Sequence, residues 1–211
     1  MRLLVLCVLL IGAGAARADP PSILVWGDSI SAGYGIRVAQ GWVALLQAKI
    51  REAGYGYQVI NASVSGETTA GGLARLPRAL ALHHPQIVIL ELGGNDGLRA
   101  LPVADMRANL ASMVSLARAA GARVLLLGIF VPPNYGPEYT DQFRRAFSDL
   151  ARGEHVAFVP FLLQDVALDA ALMQDDGIHP NEAGQPRLLA NLWPALQPLL
   201  AAAPKAAHSA P

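Results

Sequence analysis

The stretch Ile23-Leu24-Val25-Trp26-Gly27-Asp28-Ser29 decides the reading of this chain. Four consecutive apolar residues are too short for a helix and show no alternation, which reads as a strand buried on both faces. The run stops at a glycine, and the next two residues are polar and chemically capable. The same arrangement recurs downstream. Gln58-Val59-Ile60 is a second strand followed by Asn61-Ala62-Ser63-Val64-Ser65-Gly66-Glu67, and Ile87-Val88-Ile89-Leu90 is a third, followed by Gly93-Gly94-Asn95-Asp96. Arg123 to Ile129 and Val156 to Pro160 give a fourth and a fifth strand. Helical spacing fills the gaps: Trp42 to Ala53, Thr68 to Leu82 (where Pro77 is expected to kink or split the helix), Val103 to Ala120, Pro137 to Arg152 and Glu182 to Leu196. Apolar strands alternating with helices predict an α/β fold with a five-stranded parallel sheet covered on both faces. Ligands of such sheets bind beyond the carboxyl ends of the strands, which is where the polar blocks fall.

The flanks bound what the chain can be. Arg2, the apolar run Leu3 to Gly12 and Ala16-Arg17-Ala18 have the form of an export signal cut after residue 18. The apolar run is too short to span a bilayer. An uncleaved anchor is the competing reading, and the expectation is an exported, periplasmic or secreted protein with no stable membrane anchor. Residues 19–200 then form one domain, and the Ala- and Pro-rich residues 201–211 are expected to be a disordered tail. Cys7 is the single cysteine and lies in the leader, so the mature chain has neither a disulfide nor a thiolate nucleophile. Lys+Arg and Asp+Glu both number 16, a net charge of zero that gives no long-range pull on nucleic acid. No internal repeat is visible, and a monomer is expected.

A fourth polar block, Asp175-Asp176-Gly177-Ile178-His179-Pro180-Asn181, lies between the fifth strand and the last helix, and can reach the same rim. Acyl transfer needs a nucleophile, a base, a group that orients the base, and donors for the oxyanion. Ser29 sits at a strand-to-loop turn that exposes a hydroxyl. His179 is the natural base, because imidazole titrates near neutrality. Asp176, three residues earlier, can hold one ring nitrogen and leave the other for Ser29. The backbone N–H groups of Ser29 and Gly66 and the side-chain amide of Asn95 supply three oxyanion donors. Asp175 competes with Asp176 for the imidazole, but its spacing is worse. Asp28, Asp96 and Ser31 read as structural residues, Ser31 as a turn or helix-capping residue. His83, His84, His155 and His208 have no partner motif. The nucleotide-phosphate loop, the dinucleotide glycine pattern, metal-ligand spacing and the G-x-S-x-G elbow are all missing, the last because Ser31 stands where its second glycine belongs. No cofactor and no metal are expected.

Taken together, the GDS of 27–29, the lone Gly66, the GGND of 93–96 and the DGIHPN of 176–181 resemble, in order, the four blocks of the SGNH (GDSL-type) hydrolase superfamily. The longer stretches WGDSISAGYG, NASVSGETTAGGLARLP, ELGGNDGLR and MQDDGIHPN are similar to the bacterial periplasmic arylesterase and multifunctional thioesterase/lysophospholipase group. The likeness covers about Ile23 to Leu199, with Ile30 replacing the leucine of the namesake motif. It implies a three-layer α/β/α, flavodoxin-like fold. It implies Ser29 as nucleophile, Ser29, Gly66 and Asn95 as the oxyanion hole, and Asp176 and His179 as the rest of a triad. It further implies small acyl esters or thioesters as substrates. Two other readings of the same residues are a carbohydrate O-deacetylase and a non-catalytic binding domain. The apolar positions Ile30, Leu98, Ile129 and Ile178 lean towards acyl chains, and the Pro/Gly segment Val131 to Tyr139 is expected to form a wall of the site.

Overall fold

In the computed structural model of the chain, residues 20–200 are described. The expected leader (1–18) and tail (201–211) lie outside the described residues. Five strands form one sheet: β1 (Ser22–Gly27), β2 (Gln58–Asn61), β3 (Ile87–Glu91), β4 (Arg123–Leu127) and β5 (Ala157–Val159). Every pairing is parallel and the spatial order is β2-β1-β3-β4-β5. This is the flavodoxin-like order, and its reversal point lies between β1 and β3. There the register sets Gly27 beside Glu91 at the carboxyl ends of the two strands.

Among the described residues seven α-helices flank the sheet: α1 (Ser29–Ala32), α2 (Trp42–Glu52), α3 (Thr69–His83), α4 (Gly94–Leu98), α5 (Val103–Ala119), α6 (Pro137–Gly153) and α7 (Gln185–Leu200). Helix α2 packs on α7 as one layer, and α3, α5 and α6 pack side by side as the other. Between them β1 and β3 are buried along their whole length, which is why both read as unbroken apolar runs. The layers are tied by buried polar contacts as well as by packing. Gln185 of α7 accepts a hydrogen bond from the Trp42 N–H at the start of α2 (3.0 Å), and Trp26 Nε1 donates to the Gly72 carbonyl of α3 (3.2 Å). Arg75 of α3 lies over the Trp26 ring at 4.0 Å and pairs with Glu67.

Three local expectations need correction. Helix α3 runs through Pro77 without splitting, and Pro77 itself is exposed. Helix α7 starts at Gln185 rather than Glu182 and reaches Leu200; Glu182 instead pairs with Arg37, Nε to Oε1 3.0 Å. The short helices α1 and α4 were not expected, since neither is long enough to show a 3.6-residue period. Ile89, at the centre of β3, has no exposed surface. Ile89→Ala should therefore cost about 3 kcal/mol, read as a lower urea midpoint at unchanged slope.

Candidate active site

All four polar blocks meet above the β1–β3 junction. The chain leaves β1 at Gly27 and turns at once into α1, so Ser29 stands at the first helical position. Asp28 caps this turn: its Oδ1 accepts the Ile30 N–H at 3.0 Å. After β3 the chain enters α4 through Gly93, and Asn95 Nδ2 donates to Asp28 Oδ2 at 3.2 Å. After β2 it loops outward to Gly66, whose φ of +80° is a left-handed conformation that glycine adopts without strain. The Gly66 carbonyl accepts from Arg99 Nη2 at 3.0 Å. Asp96 holds the start of α3, with Oδ2 accepting the Thr69 N–H at 2.8 Å.

Asp176 and His179 arrive on a small hairpin closed by the antiparallel bridge Met173–Pro180. Its tip is fixed locally. Asp176 Oδ1 accepts the N–H groups of Ile178 (2.9 Å) and His179 (3.0 Å), the Asx-type turn that aspartate favours. Asn181 staples the base of the hairpin by donating to the carbonyls of Ala171 and Met173. Gln174 ties it to the first block through the Tyr34 carbonyl at 2.8 Å.

Within this frame His179 Nδ1 lies 2.6 Å from Asp176 Oδ2, and His179 Nε2 lies 2.9 Å from Ser29 Oγ. The chain Asp176–His179–Ser29 is thus continuous across 150 residues of sequence. The Tyr34 ring lies against the imidazole, centroids 4.7 Å apart. Of the two adjacent aspartates, Asp176 is the one that reaches the ring. Burial opposes its charge, but hydrogen bonds from the His179 and Ile178 backbone and from the His179 ring hold its carboxyl down at about 2. Ser31 is not a cap: it lies inside α1 and its hydroxyl donates to Glu91 Oε2 at 2.6 Å. Glu91 was not foreseen, although a single glutamate ending the run Ile87–Leu90 was a visible signal.

Ser29, Gly66, Asn95 and His179 line one cavity of about 570 Å³. Its remaining wall is largely apolar. Ile30, Leu98, Ile129 and Ile178, singled out from sequence, all line it, as do Val131, Pro132 and Pro133 of the Pro/Gly segment. Sequence reasoning missed the segment after β5, which contributes Phe161, Leu163 and Leu168. Phe130 and Phe161 stack face to face at 4.1 Å and join the walls that follow β4 and β5. Leu168 is fully exposed at the mouth, and Phe130 and Ile178 are each 40% exposed. Among the described residues no group of three or more His, Cys, Asp or Glu side chains is placed to hold a metal ion. No described helix is long and apolar enough to cross a membrane.

Burial pushes the Asp28 carboxyl up from 3.8 to about 6, against the pull of the Ile30 N–H, His179 and Asn95. Asp28 therefore holds a proton in the folded protein that the unfolded chain has released, and its contribution to stability falls as pH rises from about 4 to about 6. Asp28→Asn carries no such proton. Its melting temperature relative to the parent should shift in its favour between pH 4 and pH 7.5, while turnover falls because Asn95 loses a charged acceptor. Paired melts at the two pH values test this, and a shift in the opposite direction contradicts it.

The GDSL-like lipase/acylhydrolase family matches residues 25–187. Esterase TesA of Pseudomonas aeruginosa is 56% identical over 184 residues, 87% of this chain and 92% of that protein. Thioesterase 1/protease 1/lysophospholipase L1 of Escherichia coli K12 is 42% identical over 186 residues, 88% of this chain and 87% of the relative. The crystal structure of the psychrotrophic esterase EstA from Pseudoalteromonas, inhibited by monoethylphosphonate, superposes with a TM-score of 0.81 at 39% identity, covering 85% of this chain and 98% of that one. With four ordered sequence blocks gathered at the reversal point of a 2-1-3-4-5 sheet, and a match across most of its length, the chain belongs to the GDSL-like lipase/acylhydrolase family.

Proposed function

We propose that this protein hydrolyses acyl esters and thioesters through an acyl-enzyme on Ser29. The observation that carries this reading is the Asp176–His179–Ser29 hydrogen-bonded chain at the floor of a largely apolar cavity. His179 Nε2 takes the Ser29 proton as Oγ attacks the acyl carbonyl, and Asp176 holds the Nδ1–H and stabilises the imidazolium. The Ser29 and Gly66 N–H groups and the Asn95 amide receive the oxyanion. His179 then protonates the departing alkoxide or thiolate. In the second half it activates water against the acyl-enzyme, and the acid leaves.

The apolar wall of Ile30, Leu98, Ile129, Phe161 and Leu163 supports an acyl chain in preference to an acetylated sugar. A sugar would leave its hydroxyls facing groups that cannot hydrogen-bond to them. Relatives named esterase, and thioesterase/lysophospholipase, support the same substrate classes. The N-terminal segment, with Arg2, the apolar run Leu3 to Gly12 and Ala16-Arg17-Ala18, supports an exported enzyme whose residues 1–18 are removed, leaving a domain over 19–200. A panel of aryl esters, acyl-CoA thioesters, lysophospholipids and an acetylated sugar tests the reading. Acyl esters and thioesters should be turned over and a fluorophosphonate should label Ser29 alone. Exclusive turnover of the sugar would replace the substrate class, and no labelling at all would leave a binding domain.

A further inference from the structure

Glu91 ends β3 with its side chain wholly enclosed. Oε2 accepts from the Ser31 hydroxyl at 2.6 Å and from the Asp28 N–H at 3.3 Å, while Oε1 has no hydrogen-bond partner. Among the described ion pairs none includes Glu91. A carboxylate enclosed without a cation is strongly disfavoured against its neutral form. Burial, followed by the nearby Asp28, accordingly holds this carboxyl well above the ordinary range. The two groups it grips stand immediately before Ser29 and two residues after it, so the turn that presents Ser29 is pinned from both sides. The space is made by Gly27: a Cβ there would lie 2.7 Å from both Glu91 Oε2 and Ser31 Oγ. The glycine of the first block is thus required by the acid that occupies the room its side chain would take.

We propose that Glu91 is a positioning residue of the hydrolytic site, a buried acid that fixes the aim of the Ser29 hydroxyl and N–H through Ser31 and the Asp28 backbone. The proposal rests on the acyl-hydrolase reading above. Glu91 touches no substrate; it acts only through the turn it holds. Hydrogen-bonding shape is therefore what matters, not charge and not volume. A glutamine reproduces that shape, whereas a leucine fills the space and grips nothing.

The test compares Glu91→Gln, Glu91→Leu, Ser31→Ala and the Glu91→Leu/Ser31→Ala double variant in the full chain, reading kcat and KM on an aryl acetate, fluorophosphonate labelling, and thermal melting. Glu91→Leu should melt within a few degrees of the parent or above it, yet lose about 10- to 100-fold in kcat with KM nearly unchanged, the scale expected of a small misplacement of reacting groups. Glu91→Gln should recover most of that loss. Ser31→Ala should lose kcat on the same side, and the double variant should be no worse than the poorer single one, because both break one linkage. Parental kcat in Glu91→Leu overturns the proposal, as does a Gln variant as poor as the Leu variant, or strictly additive losses. If the Leu variant does not fold, Ser31→Ala alone decides, and parental kcat there overturns the proposal. A parent chain that the fluorophosphonate fails to label sinks the hydrolase reading itself, whereas a labelled parent with an unimpaired Glu91→Leu sinks only the role of Glu91.

Discussion

Ser29→Ala is expected to lose turnover of aryl acetates by on the order of 10⁴- to 10⁶-fold in kcat, the scale seen when the nucleophile of a serine hydrolase is deleted. Ser29 Oγ is the only part of Ser29 that the substitution removes, and it is the atom 2.9 Å from His179 Nε2. The Ser29 N–H, the Gly66 N–H and the Asn95 amide all survive in the variant. Residual activity should therefore come from oxyanion binding and substrate orientation alone. The fold should survive too, since alanine is a better helix former than serine at the head of α1. Coincident melting curves with the activity gone would place the loss in chemistry. A variant retaining a tenth of the parent's turnover would end the assignment of Ser29 as nucleophile.

Asn95→Ala should cost about 10²- to 10³-fold in kcat with a much smaller change in KM, as expected for one donor to a developing oxyanion. The side chain stands on α4 beside the cavity, with one amide proton committed to Asp28 Oδ2 and the other free for an oxyanion. That division of labour makes Asp28 the group that orients the amide, and it explains why Asp28→Asn and Asn95→Ala should impair the same step. Steady-state kinetics on one aryl ester separate the outcomes: a kcat loss under threefold would remove Asn95 from the oxyanion site, and a loss confined to KM would make it a ground-state binding group.

The sheet was legible because β1, β3 and β4 are buried on both faces, so their composition carries the signal with little interference. The candidate site was legible block by block, because each block lies at a strand end or on one tight hairpin, where neighbours in sequence are neighbours in space. What escaped did so for identifiable reasons. Helices α1 and α4 span four and five residues, about one turn each, and no periodicity can reveal one turn. The wall built by Phe161, Leu163 and Leu168 comes from an irregular segment whose shape depends on stacking across to Phe130. Ser31 looked like a cap because nothing along the chain shows that Glu91 lies 2.6 Å away; only the β1–β3 register brings them together. Pro77 was expected to kink or split α3, and the chain shows no sign that its ring would face water.

The hairpin that bears Asp176 and His179 comes after all five strands have been made. On the proposed mechanism, a polypeptide cut short after the sheet would carry the nucleophile and the oxyanion donors but not the base. Such a chain should not turn over acyl esters. The same layout invites dissection of the gene. A fragment ending at Val159 and a second carrying the remainder should each be silent, and their reassociation should switch hydrolysis on, making turnover a reporter of whether the two pieces have met.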